Sequence, residues 1–158
     1  MTTVPKHRYG GARALVLLHD QYMREFVDTW KRARAAGVVL PQSADPNYAS
    51  MEHLLFHVAR AGRGYMTWMC ECLELPAPNI RATPDVAALS GVLDEYVEHL
   101  LEGWKTPLVD VPEEKFEDRT YESRWKVQFC IDAMLEHAVM HPIRHAFQLR
   151  NLMAEEHR

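Results

Sequence analysis

An all-α fold, an antiparallel four-helix bundle, is predicted by three features of the sequence. Four long segments repeat apolar residues at helical spacing. The joints between them are short and rich in helix breakers, and the 158 residues suit one domain spanning 1–158. In such a bundle, side chains on facing helices converge, so residues distant in sequence can build one site.

The first helix is expected over residues 9–36, with Leu15, Leu18, Tyr22, Phe26 and Ala33 as its apolar stripe. Lys31, Arg32 and Arg34 suit its C-terminal end, where the carbonyl dipoles favour cations, and Gly37 can take the left-handed turn that closes it. The second is expected from Asp45 and Pro46 to about residue 74. Asp is a good N-cap, and proline at the first helical position lacks only an amide that would be unpaired there. Pro76 and Pro78 prevent its continuation. The third opens with the same grammar at Thr83, Pro84 and Asp85, carries Val86, Leu89, Leu93, Tyr96, Leu100 and Trp104 inward, and stops before Pro107. Residues 106–123 form a longer, charged connection with Pro107 and Pro112 and with room for a short hairpin around 116–121. The fourth helix is expected from Ser123 or Arg124 to residue 156.

Composition excludes several function classes. A net charge of −4, from 18 basic and 22 acidic residues with no basic stripe, gives nucleic acid nothing to bind. No apolar run is long enough to span a membrane, and the N-terminal residues lack the apolar core of a secretory signal, so a cytoplasmic location is expected. Three cysteines, an odd number, argue against a disulfide framework. Cys70 and Cys72 fall about 200° apart on a helix and read as small buried residues rather than as a chelating pair.

Histidine is where the functional signal lies. Of nine histidines, five fall in two tight clusters, His53 and His57 on the second helix and His137, His141 and His145 on the fourth. Positions four apart share a helix face, so His141 and His145 can direct two imidazoles at one ion. His137 extends that stripe one turn upstream but lies about 80° around from His145. Cys130 stands about 16 Å along the axis from His141 and cannot share its ion. On the second helix the stripe through His57 continues to Ala61 and Gly64, small residues that leave room for a ligand, whereas His53 suits a supporting or flanking place. A lone histidine on an apolar helix is more often a hydrogen-bonded core residue than a ligand. Two spaced pairs on helices that a bundle brings together leave both readings open.

With these motifs the chain resembles the DinB-like (YfiT-like) superfamily of four-helix metalloenzymes, over essentially its whole length. That family's last-helix pattern, His-x-x-x-His-Arg-x-Gln, is similar to His141-Pro142-Ile143-Arg144-His145-Ala146-Phe147-Gln148, and its second-helix pattern is similar to His57-Val58-Ala59-Arg60. The resemblance implies a metal triad of His57, His141 and His145. Two positions depart from the pattern. Ala146 replaces an arginine, and Pro142 removes the amide that would bond the carbonyl of Ala138, so a bend inside the ligand pair is expected.

Three neutral imidazoles leave a metal at least one open position, which favours Lewis-acid chemistry over a closed structural site. Imidazole suits zinc, nickel, copper and iron alike. The resemblance implies one divalent ion, zinc or nickel, and a homodimer. It also implies a metal-dependent hydrolase or thiol-dependent transferase acting on a small-molecule substrate, with a low-molecular-weight thiol as co-substrate. No further catalytic group stands out. Glu52 and Glu136 sit about 100° around from their neighbouring histidines and are expected to orient a neighbour or face water. Gln148 can hydrogen-bond the free ring nitrogen of His145 or pack structurally. Tyr65, Trp68 and Trp125 either line a pocket or belong to the core. A non-catalytic metal-binding or interaction protein is the alternative to an enzyme.

Overall fold

The structure, a computed structural model, describes residues 3–156 and is mostly helical. Four helices of 12 residues or more stand among the described residues: α1 (Gly10–Ala35), α2 (Met51–Cys72), α4 (Leu93–Trp104) and α5 (Ile131–Glu156). A short α3 (Val86–Leu89) precedes α4. None of these helices is long and apolar enough to cross a membrane.

The ends of the helices follow from local chemistry. At the end of α1 the Val38 amide donates to Ala33 O (3.0 Å) and the Gly37 amide to Arg34 O (3.1 Å). This closing pattern needs a left-handed residue, and Gly37 supplies it with φ 77°. The same pattern ends α2, where the Leu75 amide donates to Cys70 O, but here Glu74 takes the left-handed place with φ 55°.

Several expected boundaries move. Asp45 does cap a helical start, accepting from the Asn47 amide at 2.9 Å, yet it opens only a single 3₁₀ turn, Pro46–Tyr48. Ser50 then adopts an extended backbone, and its hydroxyl accepts from the His53 amide to begin α2 at Met51. The third segment is interrupted by a 3₁₀ turn at Ser90–Val92, so that α3 and α4 replace one continuous helix. The fourth helix starts at Ile131, not at 123 or 124, because a hairpin occupies that stretch. Its strands β1 (Tyr121–Glu122) and β2 (Gln128–Phe129) pair antiparallel, with Tyr121 opposite Phe129. Ser123 closes the turn through its amide to Val127 O and its hydroxyl from the Val127 amide, and Lys126 takes the left-handed position with φ 65°. Phe116, expected near a hairpin, instead ends a 3₁₀ turn (Glu113–Phe116) and is buried.

The apolar stripe of α1 is as expected at Phe26 and Ala33, while Leu15 and Tyr22 are only half-buried. Ala12, Val16, His19, Met23, Phe26, Trp30 and Ala33 face the core, while Leu18 is 37 % exposed. On α3 and α4, Leu89, Leu93, Tyr96, Leu100 and Trp104 are buried as expected. α1 packs most extensively along α5, and α2 also packs against α5. Two buried indoles lock the interior: Trp30 Nε1 donates to Met51 O (2.7 Å) and Trp104 Nε1 to Gly62 O (3.0 Å). A buried donor left unmatched would cost about 1–3 kcal/mol, so these bonds fix how α2 seats against its neighbours. Pro142 lies inside α5 without ending it.

Candidate metal centre

α2 and α5 bring three imidazoles together. His141 and His145, one helical turn apart, project from α5 toward His57 on α2. The ring centroids are 4.8 Å apart for His57 and His141, 5.3 Å for His57 and His145, and 4.7 Å for His141 and His145. One nitrogen from each ring lies within 4.8 Å of the others, and the Nε2 atoms of His57 and His141 are 3.0 Å apart. His141 is 4 % exposed and His145 is 0 % exposed, whereas His57 is half-buried and faces an opening.

The donor set fits a divalent ion on three counts. Gln148 Oε1 accepts from His145 Nδ1 at 2.8 Å, which fixes the proton on Nδ1 and leaves the Nε2 lone pair free. That Nε2 atom is buried and has no hydrogen-bond partner among the described residues, and neither has His141 Nδ1. Finally, two nitrogens bound tetrahedrally to one ion at about 2.1 Å stand about 3.4 Å apart, so ring rotations that draw the widest separation, up to 4.8 Å, in by about 1.4 Å would close the set.

Electrostatics keep these rings neutral, the form a metal requires. Burial pushes His141 down to about 2, with the neighbouring imidazoles and Arg144 adding to the effect. Burial also takes His145 down to about 4, against the opposing hydrogen bond it donates to Gln148. His57 is lowered by burial, with Asp45 opposing and Arg144 and Arg60 reinforcing. Their lone pairs are therefore available at neutral pH.

The remaining histidines go elsewhere. His53 Nδ1 pairs with the Ser50 hydroxyl at 2.9 Å, in the capping turn of α2. His137 is packed among the rings of Tyr65, Trp125 and Phe129, outside the triad. His99 Nε2 accepts from the Arg81 amide. His19 is fully buried, stacked on Trp104 at 3.7 Å, and neither ring nitrogen has a partner among the described residues.

Other candidates resolve similarly. Cys70 is buried with its thiol pushed up to about 11, and Cys130 Sγ accepts from the Ala133 amide at the start of α5. Glu52 pairs with Arg34 at 3.2 Å, and Glu136 is exposed. Tyr65, Trp68 and Trp125 do line a cavity, and it includes His57, Ala61 and Gly64 on its wall. Tyr48 was not foreseen. Its ring stands 6.4 Å from that of His57 and 6.0 Å from that of His145, because the 3₁₀ turn ahead of α2 folds it over the cluster. Nothing in the spacing of the sequence marks it. No family model, curated protein or solved structure matches the chain.

Proposed function

We propose that His57, His141 and His145 hold one divalent transition metal, zinc or nickel, in an antiparallel four-helix bundle of the DinB-like kind. On this reading the protein is a metal-dependent hydrolase or thiol S-transferase acting on a small molecule. The observation that carries it is the convergence of three imidazole nitrogens, two of them buried, from two helices within 4.8 Å. When bound, such an ion supplies Lewis acidity, which lowers the pKa of water or of a thiol and polarises a carbonyl. The chain's own residues prepare the site. Burial holds the imidazoles unprotonated, Gln148 orients the His145 ring, and the half-buried His57 leaves one side open to a substrate. Exposed Met140 and Phe147, seven residues apart on α5, support a homodimer through that helix.

A non-catalytic metal-binding role is the second reading, and one observation favours it. Neither acidic residue adjacent in sequence to the histidine clusters is free to serve as a base at the triad, since Glu52 is engaged by Arg34 and Glu136 faces solvent.

Elemental analysis of protein purified without an affinity tag tests the site. One equivalent of zinc or nickel is expected per chain. His57→Ala is expected to reduce it to background, while His99→Ala and His137→Ala retain it. Retention of metal by His57→Ala, or its loss in His137→Ala, refutes the assignment. A screen of the metal-loaded protein against activated esters, amides and thiol–electrophile pairs separates the two readings, because complete inactivity favours the second.

A further inference from the structure

His57, alone of the triad, lines a cavity of about 430 Å³ built chiefly by α2 and the turn of the β1–β2 hairpin, a size suited to a small organic molecule. Its lining is unusual in charge. Arg60, Arg63 and Arg124 contribute to the wall, and no carboxylate does. Arg63 is anchored by its Nε to Ile80 O at 3.1 Å. Arg124 reaches Glu71 only at 3.6 Å, between two exposed side chains, which is a weak pairing. Arg60 lies over the Phe56 ring at 6.0 Å and has no ion-pair partner among the described residues. Arg144, on α5, adds a fourth positive charge close enough to act on the histidines and on Tyr65.

Three aromatic rings share the wall with Asn47, Ala61, Gly64 and Met134. Tyr65 and Trp68 come from α2, and Trp125 comes from the hairpin tip, where it is 45 % exposed. Trp125 is held edge-on to Tyr65 at 6.3 Å and rests on His137 at 5.4 Å, so its free face is presented rather than disordered. A chain with a net charge of −4 has here gathered arginines around aromatic faces.

We infer that this cavity binds a small molecule with an aromatic or apolar body and one anionic head, a carboxylate or a phosphate. Arg60 and Arg124 receive the head and Trp125 stacks on the body. Guanidinium forks match both kinds of oxyanion, and the aromatic rings beside them offer faces to an apolar body. The inference rests on the metal-centre reading only for the fate of the bound molecule, whose far end meets the wall that includes His57. Binding itself needs only the arginines and the ring.

The test is a titration of the full chain, both chelator-stripped and zinc-loaded, with benzoate, phenyl phosphate, benzyl alcohol and benzylamine. Trp fluorescence and calorimetry are the readouts. Saturable binding of either anion to the stripped protein is expected, weakening as salt is raised, with the neutral and cationic analogues at least about tenfold weaker. Which anion binds more tightly identifies the head group. Arg60→Ala should weaken anion binding about tenfold and Arg60→Glu should abolish it, whereas Lys31→Ala, on α1 where the side chain pairs with Asp94, changes nothing. Trp125→Phe should remove most of the fluorescence change while calorimetry still detects binding.

Equal affinity for benzyl alcohol overturns the inference. So does indifference to Arg60 and Arg124 substitution, or anion binding that appears only with zinc. Failure of the metal reading looks different: the stripped protein binds the anion through its arginines, yet zinc never binds. Zinc bound at one equivalent with no anion binding in either form is the reverse case.

Discussion

His19 and the triad's His141 and His145 are imidazoles withdrawn from water, and each has a ring nitrogen without a hydrogen-bond partner among the described residues. Burial lowers His19 to about 3, between the values near 2 and 4 reached by His141 and His145. What separates them is direction. The triad nitrogens converge from two helices, while His19 lies flat on Trp104 beside Gly62 and belongs to no group of three or more such donors among the described residues. Burial and a depressed pKa therefore do not distinguish a ligand from a packed core residue. Convergence does.

That contrast can be broken most directly by metal content. His141→Ala should take bound metal from one equivalent to background, and His19→Leu should leave it at one equivalent. Metal loss in His19→Leu, measured by elemental analysis on folded protein, would erase the distinction.

A second effect, smaller but cumulative, is on acid stability of the metal-free protein. Above the ordinary histidine pKa of 6.5 the rings are neutral in both folded and unfolded chains. As pH falls below 6.5 the unfolded chain takes up protons that the folded chain refuses, at His19 until about pH 3. The stability present above 6.5 is therefore lost through that window, by on the order of 1 kcal/mol per pH unit for each such group. Urea unfolding between pH 6 and 4 should give a shallower fall for His19→Leu, by about one proton. An unchanged slope would mean that His19 is not held neutral.

Third, Gln148→Leu should weaken metal affinity about 10- to 100-fold while leaving one equivalent bound at saturation, since it removes the partner that fixes the His145 proton. Competition with a chelator measures it. The smallest effect expected is on stability at neutral pH. Replacing His19, with two unmatched buried nitrogens, by leucine should raise the unfolding free energy by about 1 kcal/mol. A marked loss would reveal a partner for the ring.

The helices and the histidine pairs were legible because both depend on spacing within one segment. Leu89, Leu93, Tyr96, Leu100 and Trp104 fall on one face by periodicity alone, and the ring pair on α5 is set by its four-residue interval. The hairpin was not legible in place. Its turn, Ser123 to Val127, has no glycine or asparagine at the left-handed position, which Lys126 fills instead, so the usual turn signal is absent. The part of the α1 stripe that differs has a similar cause. Leu15, Leu18 and Tyr22 are as apolar as the residues that are buried, and only the fit against α5 decides between the two faces. Tyr48 and the arginine wall arise from tertiary placement and leave no mark in local order. The joining of α2 to α5 at the triad was implied by resemblance, not by periodicity.

The two facing Nε2 atoms at 3.0 Å belong to residues 84 positions apart. An ion gripping both would act as a removable staple across more than half the polypeptide, closing a long loop that the unfolded chain would otherwise leave open. Resistance to heat would then track the free ion concentration, rising by about 2.7 kcal/mol when that concentration reaches a hundred times the dissociation constant. The grip can form only after both ends of that loop have been drawn together, so capture of the ion would follow chain collapse and would report its completion.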